Sequence, residues 1–325
     1  MTVITPIAPL ISGIFHHYPK LDENATAYVW EEITSDPFEE LIVSWNAQRP
    51  LEGDFRMSIT LKLQSEEWSP KMLYMQWGSS GQKSFDVKEE SSDVHVYQDC
   101  IELLKDKKAT AFRVSIEATE KADLGQLWAI HAYAKMPSDS SSASTSSRPA
   151  DELIDLLVSP ISQIVQLHPR ARHLCSPTST TTVVQYLLKS ARLDPLEFAR
   201  QVKDEGFDIY GNWVLNVVQA SHELGKSWQC WVARLEKFQE ILDSLALGMP
   251  VVVSVRGPLT GSAFPYEQGH LIVVRGYDPI TEKVLCMDPA FPTHDQTYVS
   301  YALEEFMQAW SRRGRVAYLF QKSYE

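Results

Sequence analysis

The feature that most constrains this chain is a break in its middle. Residues 137–149, PSDSSSASTSSRP, are almost wholly Ser, Pro, Ala and Thr; they can bury nothing and read as a flexible linker. The 325 residues therefore divide into two parts that each need a core of their own: residues 1–136 before the linker and 150–325 after it. A content of 44% hydrophobic and 22% charged residues is enough to supply both. The composition also predicts that residues 151–325 remain folded when separated from the rest.

Before the linker the apolar residues recur every second position. In FRMSITLKL, Phe55, Met57, Ile59, Leu61 and Leu63 share one face while Arg56, Ser58, Thr60 and Lys62 share the other, and FRVSIEA repeats this with Phe112, Val114 and Ile116. Period two marks half-buried antiparallel strands. With ELIVSWNA, KMLYMQWG and QLWAIHAYA, this half is expected to be an all-β, sandwich-like accessory domain. Trp45, Trp68 and Trp77 could form a platform for a glycan, but in such folds tryptophan more often belongs to the core. Contact with a glycan or a protein is the partner expectation for this domain.

After the linker the pattern is mixed. Helices are expected at 176–190, 194–204, 213–224 and 235–247, the last closed by Gly248 with Pro250 beyond it. Strands are expected at PVVVSVRG, HLIVVRGYD, KVLCMDP and RVAYLF. Helices first and strands later suggest an α+β domain.

Charge and cysteine usage narrow the function. A net charge of −12 repels phosphate backbones and argues against nucleic acid as a partner. Four cysteines, Cys100, Cys175, Cys230 and Cys286, with no CxxC pair, read as free thiols in a reducing compartment. The opening MTVITPIAPLISGIF has no basic n-region and carries two prolines, so it reads as a mature terminus and the protein as cytoplasmic, without a transmembrane segment. No cofactor is expected. His16/His17 and His168/His173 lack a set of metal-ligand partners, and HELGKS has Ala220 where a phosphate-binding loop needs its first glycine.

One constellation carries chemistry. Cys175, in CSPTSTTTVV, precedes residues suited to a helix start, with Pro177 where a missing N–H costs nothing. At that position the helix dipole favours thiolate, although a lone cysteine is as readily a buried hydrophobe. His270 opens an apolar strand and Asp288 closes the next one. A hairpin turning about Pro279 would put the two opposite each other on one face, with the carboxylate orienting the imidazole. Asp278 competes as the orienting acid but lies beside the turn.

With these residues in view, the C-terminal half resembles the bacteriocin-processing peptidase-like family of papain-fold cysteine peptidases. The resemblance rests on Gln163 in SPISQ, Cys175 in CSPTS, His270 in GHLIVVRGYD and Asp288 in DPA, with GNW at 211–213, GMPVVVSV and EEFMQAW. A SWNA phrase at Ser44–Ala47 is similar to one in a two-domain branch with a β-rich N-terminal region. Ser176 stands where Gly is commoner, and Gln163 lies twelve residues before Cys175 rather than six. The resemblance implies a papain-like cysteine peptidase domain in which Cys175, His270 and Asp288 form the triad and Gln163 serves the oxyanion. It implies a thiol hydrolase that cleaves peptide or isopeptide bonds in a peptide or protein substrate through an acyl-enzyme. An acyltransferase or deamidase on the same fold, or a non-catalytic binding protein, are the alternatives. Action on double-glycine leaders is not expected, since no transporter segment accompanies the domain.

Overall fold

Alternation decides the first half of the chain. The computed structural model describes residues 11–22, 24–88, 93–119, 121–136 and 152–323; the linker and the first ten residues lie outside these. By the density of internal contacts the chain divides into two compact units, one formed around Gly13–Ala143 with Gln201–His222, the other around Ser144–Arg200 with Glu223–Glu325. The described residues hold three antiparallel sheets and five α-helices.

In the first unit the strands are β1 (Ile14–His17), β2 (Ala27–Phe38), β3 (Glu40–Ala47), β4 (Asp54–Leu63), β5 (Met72–Gly78), β6 (Gly81–Ser84), β7 (Asp86–Lys88), β8 (Val94–Tyr97), β9 (Cys100–Leu103), β10 (Ala109–Ala118) and β11 (Leu127–Lys135). One sheet has the order β1-β11-β3-β9-β8-β7 and the other β2-β10-β4-β5-β6. The alternating residues Phe55, Met57, Ile59 and Leu61 are all buried, as their period predicts. Aromatic pairs join the two sheets: Phe15 meets Phe112 at 5.8 Å and Trp45 meets Trp77 at 6.2 Å between ring centroids. Trp45 and Trp77 are thus core residues, while the half-buried Trp68 carries the Arg113 guanidinium on its face at 3.8 Å.

Residues 201–222, which follow the linker, group with this β unit. The reason lies in buried polar pairing. Asp204 is fully buried and accepts from the Ser84 backbone N–H at 3.0 Å and from the Ser84 hydroxyl. Gln82 donates to the Lys203 carbonyl at 2.6 Å, and the Asp99 carboxylate accepts from the Trp213 N–H at 2.8 Å. A buried carboxylate is tolerated only with such partners.

The second unit contains β12 (Ile154–Asp155), α1 (Cys175–Leu188), α2 (Pro195–Val202), β13 (Trp228–Arg234), α4 (Phe238–Ala246), β14 (Val251–Val255), β15 (His270–Asp278), β16 (Lys283–Met287), β17 (Tyr298–Ala302), α5 (Leu303–Ser311) and β18 (Val316–Lys322), with α3 (Trp213–Leu224) crossing the boundary between the units. Its sheet runs β13-β18-β14-β15-β16-β17, and β12 pairs with β15. All five residues of β14, VVVSV, are buried. At about 1.5–3 kcal/mol for each fully buried valine, this strand is a firm base for β15 beside it. Strands β13 and β17 and helix α5 were not among the elements expected from periodicity, so strands also fall between and before helices.

The β15–β16 hairpin corrects the register expected from the sequence. Asp278 pairs with Lys283, Tyr277 with Val284 and Gly276 with Leu285; after a bulge at Arg275, Val274 pairs with Cys286 and Val273 with Met287. The turn is therefore centred between Ile280 and Thr281 rather than on Pro279. Asp278 sets it, accepting from the Ile280 N–H at 2.9 Å and the Thr281 hydroxyl at 2.7 Å. Among the described residues no helix is long and apolar enough to cross a membrane.

Candidate active site

Helix α1 begins at Cys175 with Leu174 as its N-cap and no side-chain cap. The first turn leaves backbone N–H groups without helical partners, and Pro177 removes one of them. The helix is buried from Ser176 to Gln185, so its start is fixed by packing. Side chains secure it further: Ser179 Oγ donates to the Leu271 carbonyl at 3.0 Å, and the Ser176 hydroxyl meets the Tyr318 hydroxyl at 2.9 Å. Ser176, which replaces the commoner glycine, thus ties the residue after the cysteine to β18.

His270 is the first residue of β15, opposite Val255 of β14, and follows Gly269 at φ +95°, a conformation that favours glycine. Asp288 comes one residue after β16. His270 Nε2 lies 2.7 Å from Asp288 Oδ1, even though the register differs from the one expected. Residues 270 and 272 share a face of β15, so a shift of two positions along the partner strand keeps His270 on the side of Asp288. Its Nδ1 is left for Cys175, whose thiol the imidazole pulls toward thiolate. The structure therefore brings Cys175, His270 and Asp288 together, with Cys175 half-buried, His270 5% exposed and Asp288 fully buried. Asp278 stands apart in the turn.

Two residues that sequence reasoning missed complete the surroundings of Asp288. Tyr266 and Tyr301 both donate to its Oδ2, at 2.6 and 2.7 Å, while Oδ1 also accepts from the Ala290 N–H at 3.0 Å. The Tyr266 ring stacks on His270 with centroids 4.1 Å apart and planes inclined by 20°. Tyr266 has φ +51°, unusual for a bulky residue, and its carbonyl is held by the N–H groups of Gly257 and Gly269. No periodic pattern marks either tyrosine; only the four-residue spacing of Tyr266 before His270 hinted at proximity.

The charges follow from this geometry. Burial pushes the Cys175 thiol up, but the hydrogen bond and charge of His270, with the backbone N–H groups of Leu271 and Ser176, bring it below the ordinary thiol value. Burial alone would lower His270; the Asp288 carboxylate and the bond to it, with Cys175, raise it to about 10. Burial would raise Asp288, yet the His270 charge and the bonds from His270, Tyr266 and Tyr301 hold it below the usual carboxylate range. Burial pushes Tyr266 and Tyr301 far up, reinforced by Asp288, so both remain donors. Cys230 and Cys286 are pushed up by burial.

Gln163 is buried beside this group. Its N–H donates to the Pro289 carbonyl at 2.8 Å, and its Nε2 donates to the Ala171 carbonyl at 3.1 Å, in the short 3₁₀ turn Ala171–His173 that leads into α1. It thus connects the residue after Asp288 to the approach to Cys175. Among the described residues its Oε1 has no hydrogen-bond partner, and no group of three or more His, Cys, Asp or Glu side chains is placed to hold a metal ion.

Residues 156–318, just over half of the chain, match the Peptidase C39-like family. The chain belongs to that family. Membership in the Peptidase C39-like family supports cysteine peptidase activity and a peptide or protein substrate, and the matched segment contains Gln163, Cys175, His270 and Asp288. No curated protein and no solved structure matches the chain.

Proposed function

We propose that the protein is a papain-like thiol hydrolase of peptide or isopeptide bonds, with Cys175 as nucleophile, His270 as acid and base, and Asp288 as the group that orients His270. The observation that carries this reading is the His270–Asp288 hydrogen bond beside Cys175 at a helix N-terminus, an arrangement that favours thiolate without external base. Cys175 Sγ attacks the carbonyl carbon and the carbonyl electrons move to oxygen. His270 Nδ1 gives its proton to the departing amine as the tetrahedral species collapses to a thioester. Water then attacks the thioester, losing its proton to His270, and the thiolate leaves. The Cys175 backbone N–H and the second proton of Gln163 Nε2 hold the oxyanion; removing such a donor ordinarily costs about 10²–10³ in rate. The two β-sheets of the first unit serve as a sandwich-type accessory domain. Reaction with an activity-based electrophile followed by profiling of peptide libraries tests the reading: Cys175 should carry the label and Cys175→Ala should abolish cleavage. Cleavage that survives Cys175→Ala would overturn it.

A further inference from the structure

At the end of α1 away from Cys175 lies a cavity of about 580 Å³, a size that takes small organic ligands. The fourteen residues of helix from Cys175 to Leu188, at about 1.5 Å each, set it roughly 20 Å from the nucleophile. Its walls come from the last turn of α1, the start of β13, the stretch before Pro160, the turn after α4 and the end of β18, and they contain none of Cys175, His270 and Asp288. Leu157, Tyr186, Leu187, Trp228 and Met249 make the lining chiefly apolar. Leu157 is 77% exposed, and Leu188 and Leu247, next in the chain to lining residues, are 42% and 54% exposed. Leucines grouped in this way form an apolar patch rather than ordinary surface scatter.

Two cations stand in the same walls. Lys189 and Lys322 both line the cavity and are exposed, and among the described residues neither ammonium has a hydrogen-bond or ion-pair partner. None of the described residues that line it is Asp or Glu. A lysine at a helix C-terminus ordinarily answers the helix dipole, and two helices do end here: α1 with Lys189 at φ +52°, and α4 with Gly248 at φ +77° just past its cap. Backbone groups already serve the last turns, since the Ser190 N–H donates to the Gln185 carbonyl at 3.0 Å and the Met249 N–H to the Ser244 carbonyl at 2.9 Å. Each helix end carries about half a negative charge, so the two full charges of the lysines leave the cavity positive by roughly one.

We infer that this cavity binds a small amphipathic acid, a carboxylate on an apolar chain, with the chain against Leu157, Trp228 and Met249 and the carboxylate between Lys189 and Lys322. The inference is independent of the catalytic reading. An ammonium in contact with a carboxylate in water favours it about five-fold, roughly 1 kcal/mol, and salt weakens the effect. Laurate, kept below the concentration at which it forms micelles, and dodecyltrimethylammonium, which has the same tail and the opposite charge, are titrated calorimetrically into the full chain. One laurate per chain should bind, more tightly than the cation, with the difference shrinking as salt rises. Lys189→Gln and Lys322→Gln should each weaken laurate about five-fold. Leu157→Asp should weaken it further, since it removes apolar surface and opposes the carboxylate. All three substitutions alter exposed side chains, so the unfolding midpoint should stay at the wild-type value and certify the fold. Absence of laurate binding, equal binding of the two amphiphiles, or a laurate affinity unchanged in all three variants would each overturn the inference.

Discussion

Replacing Asp288 with Asn isolates what the carboxylate charge does. Asp288 accepts four hydrogen bonds, from His270 and Ala290 N on Oδ1 and from Tyr266 and Tyr301 on Oδ2. An amide placed here keeps its oxygen on Oδ1's side, because the Ala290 N–H can only donate, while the two phenol hydroxyls can turn and accept from the new NH₂. His270 then keeps its orientation and its Nε2 proton, and the loss is that of a charged hydrogen bond. A charged hydrogen bond is worth about 1.5–3 kcal/mol, which corresponds to roughly ten- to 150-fold in rate and about one to two pH units in the His270 value. Turnover of a peptide substrate should fall by that factor. In parallel, the acid limb of Cys175 alkylation by iodoacetamide should move to higher pH, since a weaker imidazolium stabilises thiolate less. A loss near 10⁴, the scale of a reversed tautomer, would show that the amide turned its NH₂ toward His270. An unchanged alkylation profile with unchanged turnover would refute the coupling of Asp288 to the thiolate altogether.

Tyr266→Phe removes one donor from Asp288 but keeps the ring over His270, so it should reduce kcat less than Asp288→Asn with KM unaltered; Tyr266→Ala, which also uncovers the His270–Asp288 bond, should be worse, and equal kinetics for the two would refute a role for stacking. His270 is raised in the folded chain from its ordinary 6.5 to about 10, so its contribution to stability is complete below pH 6.5 and is lost as pH rises toward 10. Denaturant unfolding should accordingly show the gap between wild type and His270→Ala narrowing over that interval, and a constant gap would contradict the shift. Asp288 acts in the opposite sense: lowered from 3.8, it contributes above that pH and its contribution is lost as pH falls through its folded value. A fragment of residues 151–325 loses the Ser84, Gln82 and Asp99 partners of residues 203–213, which leaves Asp204 with only its Gly206 and Asn212 donors, so it should unfold at lower denaturant than the full chain; an equal midpoint would show that those pairs contribute nothing.

Residue pattern revealed much of this and missed the rest for physical reasons. Strand β4 was legible because Phe55, Met57, Ile59 and Leu61 alternate, and the first turn of α1 because Ser, Pro and Thr gather after Cys175. His270 and Asp288 were legible as a pair because both sit at ends of apolar strands joined by a turn. The register was not, since a bulge at Arg275 and an Asp278-anchored turn leave no periodic trace. Tyr266 escaped because it lies in irregular chain, where position depends on tertiary contacts. The grouping of residues 201–222 with the β unit escaped because Asp204 and Asn212 look like ordinary surface residues until Ser84 is seen against Asp204.

The Ser84–Asp204 pairing has a consequence for how the chain is made. The two residues are 120 apart in sequence, so at a synthesis rate of about 5–20 residues per second the β unit waits roughly 6–24 s for the segment that satisfies its polar groups. Contacts of such long range are slow to form, and the β unit cannot finish until residues 201–222 have been made. Ribosome pausing between residues 100 and 222 would therefore prolong an unfinished intermediate, and a chaperone that shields nascent strands would have most to do in that interval.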